Sequence, residues 1–243
     1  MEEQFTMPTQ RVELPSKGLV YSPENSLSKG YVEMKYMTAK EEDILLNQAY
    51  IKNGTAIDRL LKALIVTPIN YDDLIVGDKN AIMVAARVLG YGDEYSFTYG
   101  DEEHTINLSQ LEPKPLDESL FTPGRNEFEF TLPFSKVRIT FKILTHKDEQ
   151  NISAELEGLK KLNRNNSPDL STRLKYMILS VNGDSEQKTV REFVDKHLLA
   201  RDSQALRNHL KDFQPDVDLT FFPSGDSNKV TIPIGLNFFW PDF

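Results

Sequence analysis

Apolar residues recur at helical spacing three times in the first half of the chain. Thr38 and Glu41 have the capping-box pattern, in which each side chain bonds a free backbone N–H at a helix start. Gly54 and Pro68 end the first two apolar runs because neither residue continues a helix readily. The pattern predicts helices over residues 38–53, 55–67 and 82–90.

Alternating apolar and polar residues predict the strands. Residues 31–37 alternate, and so do residues 93–111, where Tyr95, Phe97 and Tyr99 share one face of a hairpin. Later strands are predicted over residues 127–132, 136–144, 219–222 and 230–234, the last two forming a second hairpin. Helices are predicted between them over residues 146–163, 168–180, 185–199 and 201–212.

These elements predict an α+β fold. It consists of two mainly helical halves, each closed by a β-hairpin, with an extended N-terminal arm and two extra strands opening the second half. Prolines and glycines over residues 112–126 are typical of a linker. The predicted segments are an arm (1–30), a helical domain with a terminal hairpin (31–111), the linker (112–126) and an α+β domain with a terminal hairpin and an aromatic tail (127–243).

Both chain ends carry more apolar residues than a free tail needs. We expect the arm to lie along a surface, either its own or a partner's. The tail carries four large aromatic side chains within six residues. Such a cluster either folds back into its own core or inserts into a partner, because an exposed aromatic patch is unfavourable. The interface candidates are Leu14, Leu19, Tyr21, Phe238, Phe239, Trp240 and Phe243.

Composition narrows the classes of protein. The chain has 243 residues, with 28 Lys and Arg against 37 Asp and Glu, which sum to a net charge of −9, and it has no cysteine. Thiolate chemistry and cysteine-ligated metals are therefore excluded, and the acidic balance argues against binding nucleic acid. No apolar run approaches the roughly 20 residues of a membrane span, and the acidic, polar start indicates no signal peptide. The composition favours a folded intracellular protein.

The sequence contains no combination of residues at a spacing typical of a catalytic site. His104 and His146 are interpreted as solvated surface residues, and His197 and His209 as structural residues near helix ends. Asp72-Asp73 is an adjacent pair whose carboxylates point apart, whereas acid–base pairs must converge. There is no glycine-rich phosphate loop and no nucleophile elbow. We therefore expect no enzyme activity, cofactor, metal or small-molecule substrate.

A series of short strings occurs in an order that resembles the T4-type bacteriophage baseplate hub protein family of contractile tails. The resemblance spans roughly residues 12–243 and implies protein–protein assembly rather than catalysis. It is carried by LPSKGLVY (14–21), TAKEEDILLN (38–47), GTAIDRLLKALI (54–65), DDLIVGDKNAIMVAARVLGYGDEY (72–95), FKILTHKDE (141–149), LSVNG (179–183), RDSQALRNHL (201–210) and IPIGLNFFWP (232–241).

The resemblance leaves two roles open, a structural hub protein of the tail baseplate and a non-virion assembly chaperone of the hub. An unrecognised enzyme is a third interpretation. The implied partners are other tail baseplate or hub proteins, in the host cytoplasm during assembly or in the virion baseplate. Many relatives carry CxxC pairs at the hairpin tips, similar to zinc ribbons. Residues 99–104 and 222–229 contain no cysteine, so no zinc role is carried over, and we expect aromatic packing to hold the hairpins instead.

Overall fold

The structure of the protein is a computed structural model that describes residues 8–100, 102–162, 168–223 and 229–239. In these residues the fold is α+β, as predicted, with eight α-helices and several small antiparallel sheets. The helices are α1 (Ala39–Leu46), α2 (Gln48–Lys52), α3 (Ala56–Leu64), α4 (Val76–Tyr91), α5 (His146–Leu162), α6 (Asp169–Met177), α7 (Gln187–Lys196) and α8 (Ala200–Phe213). The strands are β1 (Thr9–Glu13), β2 (Tyr31–Lys35), β3 (Glu94–Tyr99), β4 (Glu102–Asn107), β5 (Phe128–Thr131), β6 (Arg138–Phe141), β7 (Ile178–Val181), β8 (Thr220–Phe221) and β9 (Val230–Thr231).

The predicted capping box at the start of α1 is confirmed. The backbone N–H of Thr38 donates to Oε2 of Glu41 at 3.1 Å. The predicted single helix over residues 38–53 is wrong, because Asn47 takes an extended conformation and interrupts it. The Oδ1 atom of Asn47 accepts from the N–H groups of Ala49 and Tyr50 and so caps a separate helix, α2.

A three-stranded antiparallel sheet, in the order β5-β6-β7, opens the second half. The prediction that a helix extends to residue 180 is wrong for its last three residues, which belong to β7. Ile139 pairs with Val181 in this sheet, and Asn182 and Gly183 take positive φ angles directly after the strand. The sheet therefore gains a third strand that returns from the end of α6.

Residues 8–30 belong to the folded body rather than to a detached arm. β1 pairs with β2 along its whole length, with Val12 opposite Val32. The chain then turns through Gly18, whose φ angle of +80° and close contact with the backbone of Ser28 leave no room for a side chain. Leu14 and Tyr21 are buried, so the predicted arm packs on its own molecule.

Buried apolar residues form one contiguous core cluster that draws on all four predicted segments. Phe121, in the predicted linker, is buried and stacks on Phe213 with 4.9 Å between ring centroids. The division at residues 112–126 stays a prediction about independent folding. Side chains on both sides of it pack together, as Leu61 and Phe141 illustrate by belonging to the same cluster.

The start of α4 lies directly against the chain near residue 215. A Cβ atom on Gly77 would come within 1.9 Å of the carbonyl oxygen of Pro215, so only glycine fits there. One turn further on, Nδ2 of Asn80 donates to Oδ1 of Asp216 at 3.0 Å. These contacts join the first third of the chain to its last fifth.

The two predicted hairpins pack against each other through aromatic side chains. β3 pairs with β4, and β8 pairs with β9. The ring of Phe97 meets the ring of Phe221 edge-on at 4.9 Å, and Tyr99 lies 6.2 Å from the same ring. The aromatic faces expected from the sequence therefore do meet. Among the described helices, none is long and apolar enough to cross a membrane.

Candidate functional site

Four of the predicted interface residues are core residues. The exposed fractions of Leu14, Tyr21, Phe238 and Phe239 are 2%, 5%, 1% and 0%. Their side chains pack inside this chain and are not exposed as anchors on its surface, and their role at an interface stays a prediction. For the tail, the alternative of a self-packed cluster fits Phe238, whose ring meets that of Tyr95 edge-on at 4.8 Å.

The other three candidates divide differently. Leu19 is half-buried and packs against the core cluster. Trp240 and Phe243 lie outside the described residues. The surface that could receive a partner must therefore be sought elsewhere on the described part of the chain.

An apolar groove runs between β1 and α4, and we name it the β1–α4 groove. Its volume is about 330 Å³. One wall is β1, the floor is a face of α4 rich in alanine and valine, and the other wall is residues 108–113. The groove is lined by Gln10, Val12, Glu13, Pro15, Ala81, Val84, Ala85, Val88, Leu89, Leu108, Ser109, Leu111, Pro113 and Val217.

The strand that borders this groove has an open edge. In the described residues β1 pairs only with β2. The far side of β2 is covered, because Met34 bridges Ile65 and the N–H of Val66 donates to the carbonyl of Glu33. Unpaired backbone groups on an edge strand can accept an additional strand from another chain. The groove and the open edge of β1 thus form one continuous candidate docking surface.

A second cavity, of about 480 Å³, differs because charged side chains from several elements converge on it. We name it the His146 cleft. Its walls come from the starts of α3, α4 and α5, from α6, and from the loop after β9. The cleft is lined by Gly54, Ile57, Asp58, Val76, Lys79, Asn80, Met83, His146, Glu149, Arg173, Ile234 and Gly235.

One wall of the His146 cleft is a connected polar network. The Nζ atom of Lys79 lies 2.6 Å from Oδ1 of Asp58 and 3.4 Å from Nδ1 of His146. The hydroxyl of Tyr71 donates to the same Asp58 oxygen at 3.0 Å, and the Tyr71 ring meets the imidazole edge-on at 4.7 Å. Burial raises the pKa of Tyr71 well above its usual range, so this hydroxyl stays protonated and keeps donating.

His146 itself corrects a prediction. The sequence indicated a solvated surface residue, but only 4% of the residue is exposed. Burial lowers the pKa of the imidazole, and the neighbouring Lys79 lowers it further, while Asp58 acts in the opposite direction. The side chain is therefore neutral at pH 7.

A second ion pair also lines the cleft. Nη1 of Arg173 lies 2.6 Å from Oε1 of Glu149, and Nε lies 3.2 Å from Oδ2 of Asp169. The hydrogen bond that Arg173 donates to Glu149 raises the pKa of Arg173 above its ordinary value. Both cations of the cleft are therefore held in place by carboxylates.

His104, His209 and Asp73 have contacts that fit structural roles. His209 stacks on Phe130 at 4.6 Å, and His104 is half-buried beside Phe221 at 5.2 Å. Asp73 accepts hydrogen bonds from the side chains of Asn25 and Asn70, so its carboxylate is engaged in contacts within the fold. No group of three or more His, Asp or Glu side chains in the described ranges is placed to hold a metal ion.

Sequence reasoning missed the His146 cleft. Lys79 and His146 are 67 positions apart, and the sequence pattern assigns no joint role to them. No local spacing signals a contact between two helix starts, so only the tertiary structure brings these groups together.

Comparisons with models of known protein families, with curated proteins and with solved structures gave no match. The functional interpretation therefore depends on the geometry of these two sites and on the residues of the sequence.

Proposed function

We propose that the chain is a structural or assembly protein of a phage tail baseplate hub that acts by binding other tail proteins and catalyses no reaction. The hub family enters through the resemblance of the sequence strings, and the observation that supports a binding role is the β1–α4 groove beside the open edge of β1. An extended segment of a partner can add a strand to β1 while its inward side chains fill the groove. Docking of this kind needs only apolar contacts and backbone hydrogen bonds.

The charge of the surface favours a basic partner segment. Glu112 is exposed between Leu111 and Pro113 on one wall of the groove, whereas Glu13 on the other wall is paired with Arg11 at 2.7 Å. The chain as a whole carries a net charge of −9, which attracts a positively charged partner over a distance. The occupant we propose is therefore an extended segment of a baseplate or hub protein in which apolar residues alternate with Lys or Arg.

A tagged chain purified from infected cells tests the proposal, with mass spectrometry to identify co-purifying tail proteins. Ala85 lines the floor of the groove and is partly exposed, so Ala85→Arg should fill the groove with a charged side chain. We expect the amount of baseplate protein that co-purifies with this variant to fall at least about tenfold, because a desolvated charge costs several kcal/mol.

Leu199→Arg provides the matched control, since Leu199 is 51% exposed and lies outside the groove. It should retain the wild-type partners and melting temperature. Equal recovery of baseplate proteins with Ala85→Arg, or recovery of no baseplate protein by the wild type, would contradict the proposal. Presence of the chain in purified virions at fixed stoichiometry distinguishes a structural hub protein from a chaperone, which is absent from the finished particle.

The His146 cleft is the observation that favours the alternative, an enzyme. Titratable groups with shifted pKa values converge there, as in many active sites. However, none of the described residues that line it carries a hydroxyl or thiol nucleophile. We therefore place the enzyme second and infer a binding role for the cleft.

A further inference from the structure

The His146 cleft has the dimensions and the lining of a small-ligand site. Its volume of about 480 Å³ lies within the range of such sites. Its lining combines the charged and polar side chains of Asp58, Lys79, Asn80, His146, Glu149 and Arg173 with apolar ones. The apolar side chains are Ile57, Val76, Met83 and Ile234.

The two cations of the cleft retain hydrogen-bond donors. Lys79 has three N–H groups and uses two of them, on Asp58 and on His146. Arg173 has five N–H groups and engages carboxylates through Nε and Nη1. Within the described residues, the third N–H of Lys79 and the Nη2 group of Arg173 are left for an acceptor that enters the cavity.

The protonation state of His146 also bears on what the cleft can bind. Because the ammonium of Lys79 can only donate, Nδ1 accepts, and the single proton of the neutral imidazole is on Nε2, 3.7 Å from Oδ2 of Asp58. The side-chain amide of Gln150 lies 3.0 Å from Nε2 and can accept this proton only through its oxygen. An anion placed between Lys79 and His146 would replace the contact between these two residues. The ammonium and a protonated Nδ1 would then both donate to the anion.

The charges of the cleft agree with uptake of one proton. Among the lining residues, with a neutral imidazole, the formal charges of Lys79 and Arg173 cancel those of Asp58 and Glu149. Asp169, the second partner of Arg173, adds a negative charge outside the lining. Protonation of His146 adds one positive charge to the lining, which favours binding of an anion. Desolvation opposes this protonation in the empty cleft, and a bound anion would offset it.

We propose that the His146 cleft binds the oxyanion group of a small ligand, a carboxylate or a phosphate, and that His146 takes up a proton on binding. The charged groups that face His146 come from α3, from α4 and from the turn that precedes α4. Asp58 and Asp72 favour its protonation, and Lys62 and Lys79 oppose it. The polar contacts around the ring are completed by Tyr71 and Gln150.

The wild-type chain provides the first test. The ring protons of His146 are followed by NMR against pH, without and with inorganic sulfate, whose charge is constant over the range used. We expect sulfate to raise the midpoint of the His146 titration by at least about one pH unit, and the affinity for sulfate to rise about tenfold as the pH falls through that range. Sodium chloride at equal ionic strength is the control.

Inorganic phosphate and acetate, compared at one pH, show which oxyanion the cleft prefers. The proposal would be overturned if sulfate, phosphate and acetate shifted the midpoint of the His146 titration no more than chloride does. Binding of sulfate with no pH dependence would overturn it as well, because the proton uptake would then be absent.

Variants provide the second test. Lys79→Met and Arg173→Gln should each lower the sulfate affinity about tenfold, the effect expected for the loss of one charged hydrogen bond. Arg191→Gln is the matched control, because Arg191 also pairs with a glutamate of α5, Glu155, but does not line the cleft. Equal weakening in Arg191→Gln, or unchanged binding in both cleft variants, would contradict a site in the cleft.

Discussion

At the scale of single residues, Asp78 shows which part of the structure is invisible to sequence reasoning. Its carboxyl group is completely buried and accepts hydrogen bonds from the backbone and hydroxyl of Ser16 and from the hydroxyl of Tyr21. An acidic residue before an apolar run indicates a helix start, and Asp78 does lie in the first turn of α4. Its burial could not be predicted, because the partners that permit it are 57 and 62 positions away.

The burial of Asp78 predicts a measurable pH dependence. Burial raises its pKa from 3.8 to about 6, against the hydrogen bonds from Ser16 and Tyr21, which lower it. Since the folded pKa is the higher one, the proton stabilises the fold below pH 3.8, and this stabilisation is lost as the pH rises through about 6. We expect Asp78→Asn to gain about 2–3 kcal/mol in unfolding free energy relative to the wild type between about pH 4 and pH 7.

Urea unfolding of both proteins across this pH range measures the difference. The constant cost of replacing an oxygen acceptor with an amide cancels, because only the change with pH is compared. Parallel stability profiles for Asp78→Asn and the wild type would show that Asp78 has an ordinary pKa.

At the scale of elements, the sequence pattern predicts those helix ends and hairpins that depend only on residues close together in the chain. The capping box of Thr38 and Glu41 and the first hairpin, β3–β4, need only neighbours in sequence, and both are confirmed. β7 was missed because four residues are too few to establish a period and a helix directly precedes them. Its pairing with β6, about 40 positions earlier, decides its conformation.

Two glycines in helices predict opposite responses to the same substitution. Gly77 meets the backbone of Pro215, so Gly77→Ala should lower the free energy of unfolding by roughly 1–3 kcal/mol through overpacking. Gly158, inside α5, has no neighbouring atom within 4 Å of the position that an alanine methyl group would take. Gly158→Ala should therefore raise the free energy of unfolding by about 0.5–1 kcal/mol through helix propensity.

Chemical denaturation of the two variants provides the measurement, and each serves as the control of the other. A stabilising Gly77→Ala would mean that α4 and residue 215 are not in contact. The sequence indicated neither effect, since the response of each glycine to substitution depends on atoms that are far away in the chain.

At the scale of the whole molecule, the α+β class follows from the order of the patterns, whereas the joining of the two halves does not. The predicted arm, linker and tail each contribute buried side chains to one cluster. The two candidate sites depend on this joining: the groove needs Val217 beside α4, and the His146 cleft needs α6 and residues 234–235 beside α3. Periodicity describes single segments, so neither site could be derived from it.

The self-packed tail predicts a large loss of stability when one of its aromatic side chains is cut back. Phe238 is 1% exposed and meets the ring of Tyr95, so Phe238→Ala should lower the free energy of unfolding by about 3–5 kcal/mol. Phe134 is 53% exposed, and Phe134→Ala should change it by no more than about 0.5 kcal/mol. Thermal unfolding of the isolated chain measures both. A small effect of Phe238→Ala would return this residue to the interface candidates.

The contact between Tyr95 and the last described segment has a consequence for biosynthesis. The Tyr95 hydroxyl donates to the carbonyl of Pro233, which the ribosome adds 138 residues later. At about 5–20 residues per second, Tyr95 waits roughly 7–28 s for this acceptor. A nascent chain stalled before residue 233 cannot complete its core, so its apolar surface stays open to chaperones and proteases until translation is nearly finished.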